Sequence, residues 1–173
     1  VLFRRQRQMC IRDRSNIKKG LKNFKGVQRR FNKIFTFNGV DFYDDYAHHP
    51  TEIKSVLEGV KKVFDKFERV CIFQPHRISR LKDLRNEFTH CFRDADTIIL
   101  CPIFTAGEKI KLGFHYNDFA KEIIKNSKVK LFMIKNNIEL AKFLKQNIYG
   151  NKIVIGMGAG TISNWMKKLP ELM

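Results

Sequence analysis

The segment RVCIFQPHRISR, residues 69–80, decides the fold class. It opens with a short apolar run of the kind found in strands that are buried on both faces of a parallel sheet. Apolar residues then recur at helical spacing, at Leu81, Leu84, Phe88 and Phe92, and predict one helix. A strand followed directly by a helix is the repeating unit of an α/β domain.

The same unit recurs through the rest of the chain. Upstream, KIFTFNGVDFYDDY contains two extended runs around Asn38-Gly39, which predicts a two-residue β-hairpin, and apolar residues between positions 53 and 64 predict a helix after it. Downstream, DTIILCPIF, VKLFMI and KIVIGMG predict strands. Each is followed by helical spacing, over about residues 115–124, 138–144 and 162–169. We therefore predict an open, mostly parallel α/β sheet with helices on both faces, preceded by a β-hairpin.

Composition restricts the class of protein. A length of 173 residues suits one domain, and 43% apolar residues are too many for a disordered chain. No run approaches the ~18 apolar residues of a membrane-spanning helix. The four cysteines lie 61, 20 and 10 residues apart, which fits neither a zinc ribbon nor a disulfide framework. We therefore expect a cytoplasmic protein with no membrane partner.

The net charge of +17 is concentrated at the beginning of the chain. Residues 1–30 contain 11 Lys/Arg and one acidic residue, which leaves 23 basic and 16 acidic groups, a net of +7, for residues 31–173. Most of these later charges are lysines in helical patterns, which indicate solvated faces. We expect no nucleic-acid partner, and a stand-alone basic module that binds nucleic acid is kept as an alternative.

The first 14 residues, VLFRRQRQMCIRDR, follow neither a helix nor a strand period. They are similar to translated adapter read-through at the ends of environmental sequence assemblies, so we interpret residues 1–14 as a non-native scar, with a genuine basic arm as the alternative. Residues 15–30 are predicted to be a linker with a short helix, and residues 31–173 the folded domain. On this interpretation, native sequence precedes Ser15. The apolar residues of the short helix are Ile17, Leu21 and Phe24.

Two polar clusters follow predicted strands. DDYAHHP (44–50) and QPHRISR (74–80) are expected at adjacent strand ends, on the edge of the sheet where parallel sheets bind ligands. Arg77 and Arg80 are three residues apart, so both point to one side of a helical first turn and suit a carboxylate or phosphate. His76 adds a further donor. A solvated helix start with unrelated arginines is the alternative.

Other motifs carry weaker signals. GMGAG (156–160) lacks the full G-x-G-x-x-G spacing, and only 13 residues follow it, so it predicts a tight turn with close helix–strand packing. TAGEK (105–109) is an ordinary glycine turn, and the chain contains no P-loop sequence. Adjacent histidines before a proline rarely converge on one ion, so we predict no metal site. The histidines concerned are His48, His49 and His76.

Together, five motifs resemble the C-terminal domain of the Mur ligase family. They are GVQRRF (26–31), DDYAHHPTEI (44–53), FQPHRISR (73–80), TAGE (105–108) and GAGTI (158–162), in the order and approximate spacing of that family. The resemblance covers the chain from Ser15 to its end and is greatest to the members that join L-alanine to UDP-N-acetylmuramate. It implies a Rossmann-like third domain, with a UDP-binding domain and a P-loop ATPase domain upstream. A related ligase that recycles a preformed tripeptide is an alternative.

The resemblance also implies a chemistry. The family makes an amide at the expense of ATP, through an acyl phosphate that the amine of the amino acid attacks, in peptidoglycan precursor synthesis. ATP and Mg²⁺ would be bound mainly by the upstream domains, so we expect this chain to be inactive alone. His48 is a candidate proton acceptor. By position in the family motifs, L-alanine would bind to Tyr46, His48, His76, Arg77 and Arg80, and ATP would be reached by Arg30 and Asp45. We expect Asp44 to order the turn and His49 to cap the helix that follows.

Overall fold

The computed structural model describes residues 27–108 and 114–173, together with residues 16, 18 and 19. Its centre is a six-stranded sheet in the order β1–β2–β6–β3–β4–β5. The elements in chain order are β1 (Asn32–Phe37), β2 (Val40–Asp45), α1 (Pro50–Val63), β3 (Glu68–Phe73), α2 (Ile78–Asp83), α3 (Arg85–His90), β4 (Thr97–Leu100), α4 (Tyr116–Ser127), β5 (Lys130–Met133), α5 (Asn137–Asn147), β6 (Lys152–Met157) and α6 (Ile162–Leu172).

The first two strands form the predicted hairpin. Phe37 pairs with Val40 across a two-residue turn, in which Asn38 and Gly39 have φ values of 50° and 76°. Such a turn requires this left-handed backbone at both positions, and Asn-Gly is the pair that adopts it most readily. The other four strand pairings are parallel, and β2 pairs directly with β6. The prediction of a mostly parallel sheet with an initial hairpin is therefore confirmed.

Both faces of the sheet are covered, as predicted. Ile153 and Ile155 of β6 belong to a core under α1, α2, α3 and α4, while Val154 belongs to a second core under α5 and α6. This alternation follows from the pleat of a strand, which turns successive side chains to opposite faces. Each large apolar side chain that is fully buried contributes about 1.5–3 kcal/mol to folding.

One predicted helix is two. The apolar spacing from Leu81 to Phe92 correctly identified a buried face, but α2 and α3 meet at Leu84, whose φ and ψ are −111° and 28°. Apolar spacing records which side of a helix is buried and does not record a change in the helix axis. The guanidinium of Arg85, the first residue of α3, donates hydrogen bonds of 2.8 and 2.9 Å to Glu122, which ties α3 to α4.

The two polar clusters do not lie at adjacent strand ends, because β6 is inserted between β2 and β3. Sequence order alone does not determine which strands are neighbours in space. The three loops that follow β2, β6 and β3 therefore lie side by side at the carboxyl edge of the sheet.

The predicted scar and most of the predicted short helix lie outside the described residues; of that helix, residues 16, 18 and 19 are helical. Within the described ranges, none of the helices has the length and apolar character needed to cross a membrane.

Candidate functional site

The carboxyl edge of the sheet brings the two predicted clusters together. The ring centroids of Tyr46 and His48 are 5.1 Å apart, and those of His48 and His76 are 5.9 Å apart. The row continues to Arg80, whose Nη1 lies 3.4 Å from Nδ1 of His76. Four of the predicted L-alanine contacts therefore form one continuous row, and Arg77 is the immediate neighbour of His76 in the chain.

The end of DDYAHHP is built as a helix start. His49 caps α1, because its Nδ1 accepts a hydrogen bond of 3.4 Å from the backbone N–H of Thr51. In return, Oε2 of Glu52 accepts from the backbone N–H groups of His48 and His49 at 3.0 and 3.2 Å. These reciprocal bonds form a capping box, and Pro50 begins the helix where its missing N–H costs nothing. The predicted capping role of His49 is confirmed.

Asp45 is directed into the protein rather than toward solvent. The side-chain oxygens of this buried residue accept hydrogen bonds from the backbone N–H groups of Phe31 at 2.8 Å and Ala47 at 2.7 Å. Burial raises the pKa of Asp45, and these two hydrogen bonds oppose that shift. Arg30, the other predicted ATP contact, is exposed, and its positive charge also favours the ionised form of Asp45. A nucleotide role for either residue stays a prediction.

Of the two adjacent arginines in GVQRRF, the prediction from the sequence was Arg30, but it is Arg29 that contacts the site. Its guanidinium lies 4.7 Å from the centre of the Tyr46 ring and donates to the backbone oxygen of Gly158. Its Nε is 3.5 Å from Oδ2 of Asp44, which also accepts a 2.6 Å hydrogen bond from Ser163. The motif GVQRRF signalled a functional arginine, but adjacent arginines give no sign of which side chain turns inward. Asp44 therefore contacts Arg29 and Ser163, whereas the bond within the turn is made by Asp45 with Ala47, so an ordering role of Asp44 in that turn stays a prediction.

The partners of the two facing histidines assign their protons. In the neutral form of His48 the hydrogen belongs on Nδ1, because Nδ1 lies 3.0 Å from the backbone oxygen of Tyr46, which can only accept, and Nε2 then has the lone pair. Nδ1 of His76 faces the guanidinium of Arg80, which can only donate, so His76 carries its hydrogen on Nε2. The site therefore offers one proton acceptor and one N–H donor.

His76 should titrate at lower pH than an ordinary histidine. Burial lowers its pKa below 6.5, and the positive charges of Arg80, His48 and Arg77 lower it further, against the opposing carboxylate of Glu108. Because the folded pKa is depressed, the contribution of neutral His76 to stability is present above pH 6.5 and is lost as the pH falls through the folded pKa. A titration followed by NMR of the imidazole signals should give a His76 pKa below 6.5.

Replacement of the neighbouring cation tests the cause of this shift. Arg80→Met should move the pKa of His76 upward, whereas Arg93→Met, an exposed arginine at the opposite edge of the sheet, should leave it unchanged. A His76 pKa that responds to neither substitution contradicts the contact with Arg80.

The turn at TAGE holds the start of the arginine-bearing helix. One carboxylate oxygen of Glu108 accepts from the backbone N–H groups of Ile78 at 2.8 Å and Ser79 at 3.1 Å, and the other accepts from the Ser79 hydroxyl at 2.6 Å. The backbone N–H of Arg77 donates to the oxygen of Phe104 at 2.9 Å. The sequence predicted an ordinary glycine turn here, and Glu108 was not among the predicted site residues, although the TAGE motif was the available signal.

The glycine turn after β6 packs tightly against the end of β3. A Cβ added to Gly158 would lie 2.7 Å from the backbone oxygen of Gln74. A Cβ added to Gly160 would lie 2.6 Å from Oε1 of the same residue. Oε1 of Gln74 accepts from the backbone N–H of Ile162 at 2.9 Å, and its Nε2 donates to the hydroxyl of Thr161 at 3.0 Å. The prediction of a tight packing turn is confirmed.

The donor groups do not match a metal site. Across the part of the chain that the structure describes, no three His, Cys, Asp or Glu side chains are grouped to hold an ion. The described residues therefore provide no ligand set that fits Mg²⁺.

A family comparison agrees with this architecture. The family model described as "Mur ligase, glutamate ligase domain" matches residues 29–160. The chain belongs to the Mur ligase family. The match confirms the resemblance carried by the five motifs, all of which lie within or beside the matched residues.

Relatives within the family are similar over nearly the whole chain. The UDP-N-acetylmuramate–L-alanine ligase of Pelagibacter ubique (strain HTCC1062) is 69% identical over 157 residues, which are 91% of this chain and 34% of the relative. The ligase of the same name from Mesorhizobium japonicum is 39% identical over 155 residues, covering 90% and 33%. The chain thus spans about a third of the length of the curated relatives it matches.

Solved structures agree on the fold. The UDP-N-acetylmuramate–alanine ligase of Thermotoga maritima has a TM-score of 0.68 at 26% identity, covering 88% of this chain and 31% of that chain. A murein peptide ligase from Psychrobacter arcticus has a TM-score of 0.71 at 19% identity, covering 89% and 32%. At that identity, the second match bears on the fold alone.

Proposed function

We propose that this chain is the C-terminal, amino-acid-binding part of an ATP-dependent, ADP-forming ligase that joins L-alanine to UDP-N-acetylmuramate. The observation that carries the proposal is the row of Tyr46, His48, His76 and Arg80 at the ligand edge of the sheet, with Arg77 next to His76 in the chain. The name shared by the relatives at 69% and 39% identity supports the same substrates. The tripeptide-recycling ligase is less favoured, because these relatives are named for L-alanine and not for a tripeptide.

The two arginines would bind the carboxylate of the amino acid. Among the described residues, neither Arg77 nor Arg80 forms an ion pair. A guanidinium can grip a carboxylate through two parallel hydrogen bonds, so the pair would fix both the position and the direction of the small substrate. The amine would then project along the row of rings toward His48.

His48 would take the proton that the amine must lose. An amino acid at neutral pH carries an ammonium group, which has no lone pair for attack. Nε2 of His48 keeps a lone pair, because Nδ1 is directed to the backbone oxygen of Tyr46. The free amine would attack the acyl phosphate carbonyl to form a tetrahedral intermediate. As the C–O bond to phosphate breaks, the nitrogen would lose its second proton to the departing phosphate and the amide would form.

ATP and Mg²⁺ belong to the upstream domains in this proposal. Arg30 is exposed beside the segment that leads into β1, where it can reach a nucleotide held by a neighbouring domain. Residues 26–31 would lie near the hinge about which this domain closes onto the ATPase domain. The proposal keeps the predicted division of the chain into a scar at residues 1–14, a linker at residues 15–30 and the domain at residues 31–173. It also includes a cytoplasmic location.

A chimeric ligase tests the proposal. Residues 27–173 would replace the matching third of the Pelagibacter ubique ligase, and ADP release would be measured with UDP-N-acetylmuramate and L-alanine. We expect activity that depends on L-alanine and UDP-N-acetylmuramate together, with the unmodified Pelagibacter ubique enzyme as the positive control. A folded chimera that releases ADP with a tripeptide but not with L-alanine would support the recycling ligase instead.

A further inference from the structure

We propose that Glu108 is a positioning residue for the amino-acid site, because it holds the helix start that carries Arg77 and Arg80. This inference rests on the proposed function. Glu108 is 28 residues beyond Arg80 in the chain, and it contacts the first turn of α2 through three hydrogen bonds. In this role it acts on the substrate through the arginines.

Helix α2 depends on an external cap. It has only six residues, and its N-cap residue, Arg77, makes no side-chain capping bond. A helix of this length is marginal by itself, since its first N–H groups have no acceptor within the helix. Glu108 supplies acceptors to two of them, those of Ile78 and Ser79.

The backbone at Arg77 makes this support more important. Arg77 has φ 69° and ψ 133°, a left-handed backbone that side chains other than glycine adopt at a cost of about 1–3 kcal/mol. The backbone N–H of Arg77 donates to the oxygen of Phe104, which precedes the 105–108 turn. Glu108, at the end of that turn, accepts from the two residues that follow Arg77. Contacts on both sides therefore hold Arg77 in the conformation that aims its side chain.

The charge of Glu108 is stabilised where it lies. Hydrogen bonds from Ser79 lower the pKa of its carboxyl, and the bond from Ile78 and the charge of Arg77 lower it further, so the group is ionised at neutral pH. A glutamine could replace it with little loss. Its oxygen would accept from the two backbone N–H groups, and its amide would donate to the Ser79 hydroxyl. The role is therefore one of geometry rather than charge.

Kinetics of the chimeric ligase test the role. Glu108→Ala should raise the KM for L-alanine about tenfold, because a mobile helix start no longer presents both guanidinium groups together. The KM for ATP and kcat should change less than about twofold, and Glu108→Gln should restore the KM for L-alanine to within about threefold of the parent value. A purely structural role would lower the melting temperature without separating KM from kcat.

A matched control separates positioning from general destabilisation. Glu139, in the first turn of α5, accepts from the backbone N–H of Lys135 at 2.8 Å, so its carboxylate also stabilises a helix start, but one away from the arginines. Glu139→Ala should lower the melting temperature and leave the KM for L-alanine unchanged. If Glu108→Ala does not fold, Ser79→Ala should raise that KM about twofold through loss of one bond to the same carboxylate.

The outcomes are distinguishable from failure of the proposed function. If the parent chimera does not use L-alanine, the proposed function fails before Glu108 is tested. If the parent uses L-alanine, an unchanged KM in Glu108→Ala overturns the positioning role. Equal losses in Glu108→Gln and Glu108→Ala also overturn it, because they would indicate an effect of charge.

Discussion

Arg77→Ala in the chimeric ligase should raise the KM for L-alanine about 100-fold, equivalent to roughly 2.8 kcal/mol of lost binding. The physical reason is the loss of a guanidinium that grips the carboxylate through paired hydrogen bonds at the strand-end site. Arg77 is exposed and lies next to His76, so its removal leaves the core intact. Steady-state kinetics with varied L-alanine and saturating ATP would measure the effect.

Two further substitutions define what the Arg77 result means. Arg77→Lys keeps the positive charge and loses the two-pronged geometry, so it should recover only part of the affinity. Arg93→Ala removes an exposed arginine at the opposite edge of the sheet and should leave the KM unchanged. If Arg77→Ala has no effect on that KM, the arginines belong to a solvated helix start. Salt-dependent binding of generic DNA that is also insensitive to Arg77→Ala would favour the nucleic-acid-binding module.

Local sequence signals were sufficient for the fold class. Short apolar runs and helical spacing identified the strands and most helices, and Asn38-Gly39 identified the hairpin. The position of β6 between β2 and β3 could not be predicted in this way, because strand order depends on long-range packing. The division into α2 and α3 was also missed, because apolar spacing shows which side of a helix is buried and not where its axis changes.

Local signals also selected most of the site. The two clusters were chosen for their places after strands and the individual residues by their places in the family motifs, and the structure brings the side chains of Tyr46, His48, His76 and Arg80 into one row. Glu108 was missed as an individual residue because its contacts depend on how a loop folds back onto α2. Side-chain direction is the information that a single sequence lacks.

The three strand-end loops form one connected unit. Gln74 at the end of β3 bonds to Thr161 and Ile162 beyond β6, and Arg29 bonds to Gly158 in the same glycine turn. Arg29 also lies over the ring of Tyr46. Movement of the segment at Arg29 would therefore shift Tyr46 and the glycine turn. Domain closure near this segment would in this way change the position of the bound amino acid.

Asp45→Ala should lower the free energy of unfolding of the 173-residue chain by about 2–4 kcal/mol. The carboxylate accepts the backbone N–H groups of Phe31 and Ala47, and the substitution leaves both without this acceptor. Burial raises the pKa of Asp45, so relief of its buried charge offsets part of the loss. Urea unfolding followed by circular dichroism would measure the change.

The control for Asp45 lies four residues earlier in the same strand. Asp41 is partly exposed and bonds to the side chains of Lys33 and Thr36, so Asp41→Ala should cost less than about 1 kcal/mol. The proposed ATP contact makes a separate prediction, a raised KM for ATP in the chimeric ligase carrying Asp45→Asn. If Asp45→Ala leaves unfolding unchanged while Asp45→Asn raises that KM, the carboxylate serves the nucleotide and its two backbone bonds contribute little. If unfolding changes and the KM does not, Asp45 is a structural clamp between the entry segment and the end of β2, and the ATP assignment fails.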